Sequence, residues 1–90
     1  MITIYKYPLL ITDEQEIEIP FGSKILTAKF QQGSLFIWAE VDTEKMVVKK
    51  KIFLFGTGHE ITQKVHEIKY ISTVFMLNQS IVWHIFEYLY

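Results

Sequence analysis

Polar and apolar residues alternate along most of this chain. In "DEQEIEI" at 13–19, Glu14, Glu16 and Glu18 fall on one side of a period of two, and Ile17 and Ile19 on the other. Elsewhere, runs rich in Ile, Val, Phe, Tyr and Thr lie between sparse turn signals: Pro8, "PFGS" at 20–23, Gln32–Gly33, "DTE" at 42–44, "GTG" at 56–58 and Asn78–Gln79. This pattern predicts strands at 2–7, 14–19, 24–31, 34–42, 45–55, 70–77 and 80–88. The stretch "HEITQKVHEIK" at 59–69 reads as one or two helical turns or an irregular crossing, with Ile61, Val65 and Ile68 at helical spacing. The predicted class is all-β, with one short helix near 60–68 as an option. The architecture is a small curled antiparallel sheet or barrel of about six to seven strands, in one domain over residues 1–90.

A register follows for the middle of the chain. A two-residue turn at Gln32–Gly33 sets Phe30 opposite Leu35, Ala28 opposite Ile37 and Leu26 opposite Ala39. A second turn at Thr43–Glu44 sets Val41 opposite Met46, Ala39 opposite Val48 and Leu35 opposite Ile52. One face then holds Leu26, Ala28, Phe30, Leu35, Ile37, Ala39, Val41, Met46, Val48 and Ile52, and is apolar apart from Lys50. A slip of one residue would invert that pattern. The opposite face gathers Lys29, Phe36 and Lys51 in one row and Thr27, Trp38 and Lys49 in the next.

The closing strands are apolar on both faces. Phe75, Val82 and Phe86 lie on one, and Met76, Ile81, Trp83 and Ile85 on the other. Half of the residues are hydrophobic and 16% are aromatic, a heavy apolar load for 90 residues. A strand buried on both faces needs two covering layers. The surplus therefore predicts a homo-oligomer, with a dimer as the simplest form.

Composition excludes several classes. There is no cysteine, so no disulfide and no cysteine-ligated metal. The first ten residues lack the form of a signal peptide, and no apolar run approaches the roughly 18 residues of a membrane span. Net charge is −1, all basic residues are lysine and arginine is absent, which argues against DNA readout.

Three features carry candidate chemistry. Trp38 and Phe36, flanked by Lys29, Lys49 and Lys51, suit stacking of a planar anion. They equally suit a protein interface, or a solvated face with lysine stems laid over rings. The loop Gly56, Thr57, Gly58, His59 offers backbone N–H groups to an anion, or is a turn using positive φ. It lacks the Gly-Lys-Ser/Thr spacing of a phosphate-binding NTPase loop. His59, His66 and His84, 7 and 18 residues apart, match no metal motif, and His84 within "IVWHIFEY" also reads as a structural, hydrogen-bonded histidine. No metal or cofactor is expected.

The segments "IYKYPLLITDEQEIEIPFGSKIL", "WAEVD", "GTGH" and "YISTV…VWHIFE" resemble, in order and over nearly the whole chain, a family of short bacteriophage and prophage proteins. The family's usual "YIGTV" reads "YISTV" here, with Ser72 in place of glycine, and "LNQS" lacks the glycines expected of the closing turn. The resemblance implies no catalytic residues. It implies a setting, the cytoplasm of an infected host cell, and a counter-defence role for a small accessory protein. The expectation is a non-enzymatic binder of a small anionic, nucleotide-like host signal. The alternatives are an inhibitor that binds a host defence protein, or a minor virion or assembly protein. A histidine-dependent phosphodiesterase is the enzymatic rival.

Overall fold

A computed structural model describes residues 1–90. Seven strands form: β1 (Ile2–Leu9), β2 (Glu14–Pro20), β3 (Lys24–Gln31), β4 (Ser34–Asp42), β5 (Val47–Gly56), β6 (Ile68–Met76) and β7 (Ile81–Tyr88). They make two antiparallel sheets, ordered β1-β4-β3 and β2-β5-β7-β6, not closed into a barrel. The helical option at 60–68 reduces to one 3-10 turn, Val65–Glu67. Its apolar stripe fails because Ile61 and Val65 are exposed and only Ile68, at the start of β6, is buried.

The two sheets bury one face each against the other. Ala28, Leu35, Ile37, Ala39 and Val41 come from the three-stranded sheet; Ile17, Ile19, Ile52, Leu54, Val74 and Ile85 come from the four-stranded one. β2 behaves as its alternation predicts, with its isoleucines buried and its glutamates outward. Gln15 braces the switch from β1 to β2. Its side chain accepts from Leu10 N at 2.9 Å and donates to Leu10 O at 2.7 Å.

The β3–β4 hairpin has the expected register from Gln31–Ser34 to Ala28–Ile37. Gln32 and Gly33 both adopt positive φ, the requirement of a tight hairpin turn. Beyond Thr27, opposite Trp38, a bulge intervenes, so Ile25 rather than Leu26 pairs with Ala39. Ile25 packs on the core and Leu26 is exposed.

The expected β4–β5 hairpin does not exist. β4 lies between β1 and β3, and β5 lies between β2 and β7 in the other sheet. The chain does turn after Asp42, where Lys45 N donates to Asp42 O and Glu44 N donates to the Asp42 carboxylate. It then crosses to β2, fixed by Phe21 N donating to Met46 O at 2.7 Å. Met46 is exposed as a result. The Glu44 N–H bond, partly opposed by burial, holds the Asp42 carboxyl below the usual carboxylate range.

The sheets also meet where β3 runs beside β6. A bulge at Ile71 in β6 sets Ser72 opposite Ile85. Ser72 Oγ accepts from Ala28 N at 3.0 Å and shares a hydrogen bond with Thr27 Oγ1 at 3.1 Å. Ser72 thus joins the two sheets by side chain. Ser72→Gly is expected to leave the Ala28 N–H without its partner and to cost about 1–2 kcal/mol, read as a lower urea midpoint at unchanged m-value. An unchanged midpoint would show the seam carries no load.

The β6–β7 hairpin forms without glycine. Leu77, Asn78 and Gln79 all hold positive φ, closed by Ser80 N and Ser80 Oγ donating to Leu77 O.

Candidate functional site

β5 and β6 each pair antiparallel with β7, so they run parallel to one another. Such a pair needs a crossover, and residues 57–67 supply it. This segment leaves β5 through the glycine loop and brings Ile61 beside Phe55, Tyr70, His84 and Phe86, outward residues of the four-stranded sheet. Those residues and the loop line an open cavity of about 230 Å³.

The cavity floor is built from pairing register. Phe55 faces His84, and His84 faces Thr73; Phe53 faces Phe86, and Phe86 faces Tyr70. Alternation sends all of these to one side of the sheet. The rings interlock: Phe53 and Phe55 stack at 6.1 Å between centroids, Phe55 meets Phe86 edge-on at 5.7 Å, and Tyr70 meets Phe86 at 5.6 Å. Tyr88 adds an edge against Phe53.

His84 stands in the centre of a hydroxyl chain. Its Nε2 is 2.7 Å from Thr57 Oγ1, its Nδ1 is 3.1 Å from Thr73 Oγ1, and Thr73 Oγ1 is 2.7 Å from the Tyr70 hydroxyl. A hydroxyl both donates and accepts, so this chain tolerates either tautomer of the imidazole. It ties the glycine loop to β7 and β6.

The loop itself is fixed by His59. Gly56 N donates to His59 Nδ1 at 3.3 Å, and His59 N donates to Gly56 O. The neutral imidazole therefore carries its proton on Nε2, away from the backbone. A Cβ on Gly56 would stand 2.7 Å from the ring, so a larger residue there would displace the imidazole from this position. Gly58 has φ of +87°. The N–H groups of Thr57 and Gly58 make no hydrogen bond within the protein. Thr57, Gly58 and His59 line the same cavity as the aromatic floor.

The expected site residues divide among three places. Gly56, Thr57, Gly58, His59 and His84 come together as described. Phe36, Trp38 and Lys29 lie on the outward face of the three-stranded sheet, with Phe36 and Trp38 centroids 6.1 Å apart. Lys49 and Lys51 do not join them. They sit on β5 opposite Glu18 and Glu16, and Lys51 Nζ is 3.7 Å from the Glu14 carboxylate. Trp38 instead has Lys6 opposite it on β1, and Lys6 Nζ lies 4.4 Å over the Phe36 ring while donating to Gln31 Oε1. His66 lies in the 3-10 turn, and no three acidic or histidine side chains form a metal cluster.

Sequence reasoning missed Phe55, Tyr70 and Thr73. The alternation in "IVWHIFEY" places His84 on the face of Phe86, which was the available signal. The β5–β7 pairing that brings Phe55 to them spans about thirty residues and leaves no local trace.

The model of a family described as "Domain of unknown function (DUF7352)" matches residues 1–89. The chain belongs to that family. Neither the curated proteins nor the solved structures contain a match to this DUF7352 chain. No helix is long and apolar enough to cross a membrane.

Proposed function

We propose that this DUF7352 protein is a non-enzymatic binder that sequesters a small, planar, nucleotide-like anion. The observation that carries this reading is the cavity beneath the glycine loop. Its aromatic floor takes a planar ring. The free N–H groups of Thr57 and Gly58, with His59, take negative charge beside it. Both His84 nitrogens are already bonded to hydroxyls and no carboxylate orients the ring, which favours holding over proton transfer. The phage setting, host cytoplasm and counter-defence role rest on the sequence resemblance.

The test is capture. The protein is incubated with a panel of nucleotide second messengers, freed of unbound material and denatured, and the released molecules are identified. Intact release is expected. A chemically altered product would make the protein an enzyme, and no capture would remove the reading.

The second reading is a direct protein partner. Ile4 and Leu26 are exposed on the outward face that carries Phe36 and Trp38, and aromatic rings amid exposed aliphatics suit such an interface. We also propose that the chain dimerises. Light scattering at micromolar concentration is expected to give twice the 10.7 kDa chain mass; the single-chain mass would end that proposal.

A further inference from the structure

The loop separates two cavities, not one. The second, about 270 Å³, lies on its other side and is lined by Ser80, Ile81 and Trp83. Gly56, Thr57 and His59 line both, so the loop is the partition between them. The two differ in wall. The first has three aromatic rings and His84. The second is lined by Trp83, whose indole also packs on the core and donates from Nε1 to Met76 Sδ, and by the aliphatic Ile81, with Ser80 as its polar edge. Each has an aromatic residue in its lining.

Neither volume reaches the lower end, about 300 Å³, of ordinary small-molecule sites. Joined across the loop they do. A ligand that fills both must pass its linking portion over Thr57, where the N–H groups of Thr57 and Gly58 make no hydrogen bond within the protein and are available to negative charge. Two flat groups joined by an anionic link describe one chemical class. Resting on the nucleotide-binding reading, we propose that the ligand is a dinucleotide, with one base in each cavity and the phosphodiester link against the N–H groups of Thr57 and Gly58.

Linking two weakly held halves makes the second contact intramolecular, so a matching dinucleotide gains over a mononucleotide without any new contact. Calorimetric titration compares adenosine monophosphate with the linear and cyclic adenosine dinucleotides. At least one dinucleotide is expected to bind at least tenfold more tightly than the mononucleotide. Ser80→Trp fills the second cavity at an exposed turn and keeps the backbone N–H bond to Leu77 O. It is expected to erase the dinucleotide's advantage and leave mononucleotide affinity unchanged, which also reports that the first cavity is folded. Equal affinity of mononucleotide and dinucleotides for the wild type would overturn the two-base proposal and leave nucleotide binding standing. A dinucleotide advantage that survives Ser80→Trp would overturn it as well, because the second base then lies elsewhere. Loss of both affinities in Ser80→Trp is resolved by Ile81→Trp, which narrows the same cavity without touching Ser80. If that variant also fails to cut the advantage selectively, the proposal falls. Binding of neither ligand class to the wild type would remove the parent reading too.

Discussion

Glu87→Ala is expected to cost the fold about 2–3 kcal/mol. Glu87 sits on the inward face of β7, 9% exposed, and its Oε1 is 3.2 Å from Lys50 Nζ on the inward face of β5. Removing one partner of a buried pair strands the other charge, typically at about 3–5 kcal/mol. The lower figure applies because the Lys50 side chain keeps 24% of its surface in solvent and can recover hydration. For a domain of this length, whose whole stability is of order 5–10 kcal/mol, that is a large fraction. Replacing both partners, as Lys50→Met with Glu87→Leu, removes the stranded charge and is expected to restore wild-type stability or exceed it. Chemical denaturation of the two single variants and the double variant gives the coupling directly. Additive losses would show that the two groups do not act as a pair.

Lys50 also shows what alternation can and cannot say. The period-two pattern places Lys50 on the inward face, and it is there, as the only lysine among apolar neighbours. The pattern names no partner, because Glu87 is supplied by β7, far along the chain. The same limit explains the missing β4–β5 hairpin. Leu35, Ile37, Ala39 and Val41 on β4, and Val48 and Ile52 on β5, point toward a common core whether the strands pair side by side or face each other from opposite sheets. Periodicity fixes which face is buried and is silent on which strand is the neighbour. A turn must settle that. Gln32–Gly33 does so through two residues with positive φ, so the β3–β4 register was legible down to the bulge at Leu26. The turn after Asp42 lets the chain pass to the other sheet, and Lys49 and Lys51 go with it, to face Glu18 and Glu16 rather than Trp38. What could be read of the site was its loop, because glycines and histidine carry local signals. Its floor could not be read, because Phe55, His84, Thr73, Phe86 and Tyr70 meet only through the non-local ladders of β5, β7 and β6.

Tyrosine and tryptophan variants separate two of the places where the expected site residues came to lie. Tyr70→Ala removes a half-exposed ring from the cavity floor and the terminal hydroxyl of the Thr57–His84–Thr73 chain. Loss of one stacking surface is worth about 1–3 kcal/mol of binding, roughly tenfold to more than a hundredfold in affinity. Trp38→Ala removes a larger ring from the opposite sheet, where no loop closes over it and Lys6 covers the neighbouring Phe36. It is expected to leave nucleotide affinity unchanged. Tyr70→Phe distinguishes the ring from the hydroxyl. Retained affinity assigns the loss to stacking, whereas a loss equal to that of Tyr70→Ala assigns it to the hydroxyl chain that tethers the loop through His84. Each variant is titrated with the ligand recovered from the capture experiment, after its urea midpoint confirms a folded domain. Tyr70 lies at the sheet surface, so its truncation should spare the inter-sheet core. If Trp38→Ala weakens binding and Tyr70→Ala does not, the ligand sits on the three-stranded sheet, among Trp38, Phe36, Lys29 and Lys6, and the cavity beneath the glycine loop is not the site.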